Sequence, residues 1–457
     1  MPGLPDSPHF AGVVAETLQP RTTARRVLLM PLGTWGDVIP FVRLGSELRR
    51  RGHGVTVAAC DVFEPLVRRA ELEFASLQSV GEYERVVGNP RLWHPRWAGI
   101  TFLREAVLPS MRRQFEFADD VIRSGECDVL VAPAHSLGAR IAQEVHGTPL
   151  VTVHLAPYMF RSAIASRKVS GVSLPDWFPP AWKRTFFGLA DFCGDISFGR
   201  EVNALRAELG LPRVGRVFWE WWNSPDRIVA LFPAWFGRPQ ADWPEQAVLA
   251  GFLPIDAVEE TNLDADLESF LRHGLPPIVF TAGTAMAHGR RFFAESLEAA
   301  QRLGRRAILL TQFGEQLPSD LPPGVMAVDF VSLSKLLPRV AAVVHHGGIG
   351  TTIQALAAGV PQLVVPMSFD QPDNAHRVEM LGVGRMLRPG KYGAGRVSAT
   401  LEELLGDRAA AIRCGEVARW CRSADGVQVA CDEIEVVECI SASNSNWSDQ
   451  GMMHKPR

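Results

Sequence analysis

The sequence predicts an α/β protein of two doubly wound parallel sheets that face each other across a cleft. Three observations lead there. A chain of 457 residues is longer than one ordinary hydrophobic core organises, so two domains of roughly 200 residues are expected. Short apolar β-type runs alternate with helix-period segments in two series, one in each half. In each series an apolar strand drops into a glycine turn that opens a helix: Gly33-Thr34-Trp35-Gly36-Asp37 in the first, His345-His346-Gly347-Gly348 in the second. Parallel sheets place such turns at the carboxyl edge of their strands, where ligands bind.

The first series opens with a buried strand at residues 26–32 (RVLLMPL) and a helix over 39–51, with Leu44 and Leu48 facing inward and Gly52 closing it. Strands follow at 55–59, 128–132, 150–154 and 228–232, with a helix over 136–146. A strand at 246–254 leads out, and the acidic, patternless stretch 256–264 reads as a linker. The second series has strands at 277–281, 307–311 and 325–330, a helix over 291–303, and then the stretch 341–377, on which everything else converges. Its helix over 373–381 is ended by Gly382 and Gly384, and helical patterns cover 398–424 and 427–439. The expected organisation is a flexible tail (1–24), an acceptor-side domain (25–255), a donor-side domain (256–425), a closing helix (426–440) and a disordered tail (441–457).

Composition excludes several classes. A formal net charge of −3 argues against a nucleic-acid binder, which needs a basic balance. No apolar run approaches the roughly 18–20 residues that span a bilayer, so at most peripheral contact at the inner membrane surface is expected. Arg25-Arg26 before VLLMPL could pass for a twin-arginine signal, but the run is short and meets Gly33 at once, as a first core strand does. The seven cysteines form no C-x-x-C pair, which fits a reduced, cytoplasmic protein. Asp264-Ala265-Asp266 precedes LESFL and is better explained by helix capping than by metal binding. No zinc-ligand spacing occurs, and no metal or cofactor is expected.

Ten of the twelve tryptophans precede residue 245. Core packing explains any single one, but as a group in Pro/Gly-rich connections they fit an apolar cleft. Trp93, Trp97 and Trp177 are the acceptor-side candidates.

In the second half, HHGGIGTT aims backbone N–H groups and the positive end of a helix dipole above the sheet edge, so an anion is the expected guest. The Phe369-Asp370-Gln371-Pro372-Asp373-Asn374 loop follows the next strand. A phosphate cradle beside carboxylate and amide groups points to a phosphorylated, hydroxyl-rich ligand such as a nucleotide-sugar.

HHGGIGTT, AGVPQLVVP and DQPDNA, in that order and spacing, resemble the donor-site signature of the GT-B glycosyltransferases. Among these, the glycopeptide and sterol glucosyltransferases and the rhamnosyltransferases are the nearer branch. The resemblance implies two facing Rossmann-like domains and an inverting, metal-independent transfer. A hexose or deoxyhexose would move from a UDP- or dTDP-sugar to a hydroxyl of an apolar small molecule or lipid. It implies that His345 contacts the diphosphate with Gly347, Gly348, Gly350, Thr351, Thr352 and the Gly283-Thr284 loop. It further implies that Asp370 and Gln371 hold the sugar, with a turn or helix-capping role as the alternative for each, and that Phe330-Val331 holds the base; Asn374 either joins the sugar contacts or supports the loop. Ser332-Leu333 stands where the family has Pro-Gln or Pro-X, which leaves uracil and thymine both open. GTWGDVIP resembles the N-terminal loop in which Gly36 is followed by the general base, here Asp37. Helix capping competes for Asp37, with His135 and His154 as reserve bases. His346 reads as a strand-end residue satisfied by backbone. Rivals are an epimerase of the same shape and a non-catalytic accessory protein, which would release no nucleoside diphosphate.

Overall fold

The computed structural model describes residues 23–169, 174–175, 177–253, 263–423 and 425–438. The predicted tails lie almost wholly outside these ranges, as do residues 256–262 of the predicted linker 256–264.

The first sheet has seven parallel strands in the order β3-β2-β1-β4-β5-β6-β7. They are β1 (Arg26–Leu29), β2 (Gly54–Cys60), β3 (Glu73–Gln78), β4 (Val129–Ala132), β5 (Leu150–His154), β6 (Arg227–Ala230) and β7 (Ala247–Leu249). The second has six, in the order β10-β9-β8-β11-β12-β13. Its strands are β8 (Ile278–Thr281), β9 (Ala307–Leu310), β10 (Val325–Val328), β11 (Ala342–His345), β12 (Gln362–Val364) and β13 (Gly384–Met386). Central strands are apolar without alternation because helices cover both faces. Val27, Leu28, Leu29, Val129, Leu130 and Val131 are all buried, each worth roughly 1.5–3 kcal/mol relative to an exposed side chain.

Helix α1 (Trp35–Arg50) begins four residues ahead of its apolar pattern, because a cap rather than periodicity starts it. Thr34 is the N-cap in extended conformation, and Asp37 closes a reciprocal capping box at N3. Val38, Phe41, Val42, Leu44 and Leu48 then turn inward. Pro40 lies inside this helix and offers no N–H to the Gly36 carbonyl. In the second half, α2 (Ile349–Ala358) ends at Gly359 with φ +71°, the left-handed C-cap that favours glycine. Helix α3 is Gln371–Met380.

Several elements differ from the sequence expectation. β3 and β13 are additional strands, and Gly384 opens β13 instead of ending a helix. The pattern over 398–424 is two helices, because the Asp407 carboxylate accepts from Ala410 N and starts a new one. The last helix, α4 (Gly426–Val436), puts Val427, Ala430, Cys431 and Ile434 into the core of the first sheet. Arg51 pairs with Asp432 at 2.6 Å and His53 Nε2 lies 3.0 Å from Glu435 Oε1.

The carboxyl ends of β1, β4, β5, β8, β9, β10 and β11, and the loop after β12, feed one cavity of about 570 Å³ between the sheets. Its walls are mostly apolar on the first-sheet side, with Ile39, Leu66, Val86, Leu92, Met159 and Trp222 among them.

Candidate active site

On the first-sheet wall the turn after β1 folds its own acid back over itself. Asp37 Oδ2 accepts from Thr34 N at 2.7 Å and from Thr34 Oγ1 at 3.0 Å. Gly33, at φ +137°, leaves room for that carboxylate where any Cβ would collide with it. Burial pushes the Asp37 carboxyl above its ordinary value, opposed by the Thr34 bonds and by His135. Desolvation thus makes Asp37 a stronger base than an exposed carboxylate.

His135 lines the same cleft. Its Nε2 lies 2.8 Å from the Leu32 carbonyl, which fixes Nε2 as the donor and leaves the lone pair on Nδ1. Burial lowers its pKa, so the ring is neutral at neutral pH. His154 does not line the cleft: its Nε2 is 2.9 Å from Asn223 Oδ1 and Phe160 packs edge-on against it.

On the opposite wall the structure reverses the two histidines. His345 is buried, with Nε2 on Gln362 Oε1 at 2.9 Å and Nδ1 accepting from Gly347 N at 3.2 Å. It closes the end of β11 and holds the turn from behind. His346, the next residue, points the other way because strand side chains alternate, and it lines the cleft. A Cβ on Gly283 (φ +99°) would lie 2.7 Å from the His346 ring, so the ring rests on that glycine. Its Nδ1 is buried without a hydrogen-bond partner among the described residues, and burial lowers its pKa to about 4. Sequence reasoning missed this assignment, because β11 is buried along its whole length and its pattern marks no face.

Around His346, Gly348, Gly350, Thr351, Gly283 and Thr284 line the cleft. Helix α2 has no acid in its first turn and no side-chain cap, and its first residues, Gly348 to Thr351, line the cavity. Gly347 and Thr352 do not line it. Gly347 makes the turn at φ +93°, and Thr352 Oγ1 donates to Gly348 O at 2.9 Å.

Asp370 is in the cleft, its carboxylate 2.7 Å from Asn374 Nδ2. Burial, and then Asp37, push its pKa up to about 7. Gln371 also lines the cleft, but its Oε1 accepts from Met367 N and Ser368 N at 2.8 and 3.1 Å, so only its amide nitrogen remains for a ligand. Asn374 is fully buried and donates to Gly347 O at 2.9 Å. It braces the loop and does not line the cleft. Phe330, 46% exposed, and the buried Val331 stand at the rim.

Of the tryptophans, Trp93 lines the cleft, its Nε1 donating to Val87 O at 3.0 Å. Trp97 and Trp177 are exposed outside it, because each lies on a surface turn. Trp219, of the tryptophan group, and Phe369, of the loop after β12, line the cleft too, and Tyr83 is a cleft residue that sequence patterns did not reveal. Among the described residues there is no His/Cys/Asp/Glu cluster fit for a metal, and no helix long and apolar enough to cross a membrane.

Comparison with known proteins agrees with this geometry. Residues 27–164 match the Glycosyltransferase family 28 N-terminal domain, and residues 295–424 match the Erythromycin biosynthesis protein CIII-like C-terminal domain. The chain is 30% identical over 440 residues to O-mycaminosyltylonolide 6-deoxyallosyltransferase of Streptomyces fradiae, covering 90% of this chain and 97% of that one. It is 31% identical to the glycosyltransferase GtfC of Amycolatopsis orientalis, covering 79% and 85%. Among solved structures, a kitacinnamycin glycotransferase superposes with TM-score 0.69 at 21% identity, covering 90% and 99% of the two chains. Spinosyn rhamnosyltransferase SpnG in complex with thymidine diphosphate gives 0.62 at 18%, covering 89% and 98%. With a relative at this identity along nearly its whole length, and the two-sheet cleft described above, the chain belongs to the GT-B glycosyltransferases.

Proposed function

We propose that the chain transfers a hexose or deoxyhexose from a UDP- or dTDP-sugar to a hydroxyl of an apolar natural-product aglycone, with inversion and without a metal. The observation that carries this reading is one cleft with a buried carboxylate on its apolar wall and an uncapped helix terminus opposite. The relatives add weight: one is named for deoxyallosyl transfer to a tylonolide, and SpnG is described with thymidine diphosphate and with spinosyn aglycone.

Asp37 accepts the proton of the acceptor hydroxyl. The acceptor oxygen then bonds to the anomeric carbon from the side opposite the nucleotide, and the bond from that carbon to the diphosphate oxygen breaks. Charge grows on the diphosphate in the transition state, so donors aimed there lower the barrier; one such donor is commonly worth about 10²–10³ in rate. In this reading the N–H groups opening α2 and His346 supply such donors, Asp370 and the Gln371 amide hold the sugar hydroxyls, and Phe330 holds the base; that all line one cleft supports it.

The test is turnover of UDP-glucose, dTDP-glucose and dTDP-rhamnose with a panel of macrolactone and polyketide aglycones, read by mass spectrometry with and without EDTA. A glycoside of inverted anomeric configuration, formed equally with chelator, is expected. Retention, or loss of activity on chelation, overturns the mechanism.

A further inference from the structure

Phe369 carries a backbone conformation that a bulky residue rarely adopts, φ +55°. Such a conformation persists where surrounding packing over-determines it. Here the packing comes from the other domain. The Phe369 ring leaves the second-sheet side and settles among Val86, Leu92, Ala106, Trp93 and Phe102. Phe102 meets it edge-on, centroids 6.0 Å apart. The same Phe102 ring stands edge-on to His135 at 5.2 Å, beside the turn that holds Asp37. Two further contacts tie this strap to the donor side: Trp93 packs against the second domain's core, and His288 Nε2 donates to Gly88 O at 3.2 Å.

On its other side Phe369 is bonded to Asp370, whose carboxylate is held by Asn374, and Asn374 in turn holds Gly347 O. A continuous line of contacts thus runs from the diphosphate turn through Asp370 and Phe369 to Phe102, His135 and Leu32 O.

We infer that Phe369 is a positioning residue: its ring, seated against Phe102 across the cleft, sets Asp370 at the donor sugar only when the two domains are closed. Sugar engagement is thereby conditional on the acceptor-side wall, while nucleotide binding is not. The inference rests on the reading of Asp370 as a sugar contact.

The test uses the full chain and acceptor-free hydrolysis of UDP-glucose and dTDP-glucose, with calorimetric titration of UDP and dTDP. Phe369→Ala should lower the hydrolytic kcat about tenfold to a hundredfold, the cost typical of a displaced contact, with nucleotide affinity within about twofold of wild type. Phe369→Leu should restore most of the rate. Phe102→Ala should match the loss, and the double variant should be no slower than the slower single one, as for residues acting as one unit. Multiplicative losses, wild-type hydrolysis in Phe369→Ala, or a parallel fall in nucleotide affinity would each overturn it. Should Phe369→Ala not fold, Phe369→Gly, which tolerates the same φ, is read in its place. Asp370→Ala separates the two readings: wild-type hydrolysis there sinks the role of Asp370 itself, whereas a loss there without one in Phe369→Ala sinks only the coupling.

Discussion

The two glycine turns of this molecule are built alike and left in opposite states. Each follows an apolar parallel strand and opens a helix, with N-cap Thr34 and N3 Asp37 in α1, N-cap Gly348 and N3 Thr351 in α2. In α1 the positive end of the helix is already satisfied by its own carboxylate, through Thr34 N and Oγ1. In α2 there is no acid in the first turn and no capping side chain. A helix start that carries its own anion offers a buried carboxylate to the cleft, and one that carries none offers a place for somebody else's. One residue at N3 separates base from phosphate cradle.

The largest expected effect comes from removing the charge at the filled turn. Asp37→Asn keeps an oxygen that can cap α1, so the fold should hold, but the proton acceptor is gone. Transfer should fall by about 10²–10⁴, the usual weight of a general base, with nucleoside diphosphate affinity unchanged. Because burial raises the Asp37 pKa, the acid limb of kcat/KM in wild type should lie above the ordinary carboxylate range. Turnover of Asp37→Asn within about threefold of wild type would break the comparison, since a base is worth far more.

The reverse experiment fills the open turn. Thr351→Asp puts an acid at N3 of α2, where it can accept from the leading N–H groups as Asp37 does in α1. UDP and dTDP affinity should drop about 10–100-fold, roughly 1.4–2.7 kcal/mol. Thermal stability should hold or rise slightly, as for any acid added at a helix N-terminus. Unchanged affinity by calorimetry would mean the diphosphate is held elsewhere.

The distinction between the turns was partly legible in the sequence. Both strand–glycine–helix units could be read because buried parallel strands have continuous apolar runs and glycines punctuate them. The capping role of Asp37 was visible too, as a competitor to catalysis; in the structure the carboxylate that caps α1 also lines the cleft, so the two readings do not exclude each other. What could not be read was direction. His345 and His346 are chemically identical, and only the tertiary packing of β11 against Gln362 tells which ring is inside. Asn374 could be read either as a ligand residue or as a support for its loop, and only the packing shows that it joins that loop to the Gly347 turn. β3 and β13 escaped because one is a partly exposed edge strand and the other three residues long. Phe369 gave no local signal, since its partners lie some 260–280 positions earlier in the chain.

Direction is testable on the two histidines. His346→Ala should weaken UDP binding about tenfold, one lost hydrogen bond to a charged group, and leave uridine binding unaltered, with little change in Tm. His345→Ala should do the opposite. It empties a buried site and frees Gln362 Oε1 and Gly347 N, costing about 2–4 kcal/mol of stability. Equal phenotypes in calorimetry and thermal melts would contradict the reversed assignment.

The smallest effect concerns the acid that faces the filled turn across the cleft. Asp370 has its pKa raised to about 7 by burial, with Asp37 adding to the rise. Between the ordinary carboxylate value near 4 and pH 7, the folded state then keeps a proton that the unfolded state has lost. Stability must fall with rising pH across that window and level off above it. Asp370→Asn removes the penalty, so its Tm should exceed that of wild type by a few degrees at pH 8. The two should converge as pH approaches 4. In an Asp37→Asn background the repulsion is relieved, so the window for Asp370 should move to lower pH and the gain at pH 8 should shrink. A gain that ignores the state of residue 37 would mean that the two carboxylates do not share one desolvated cleft.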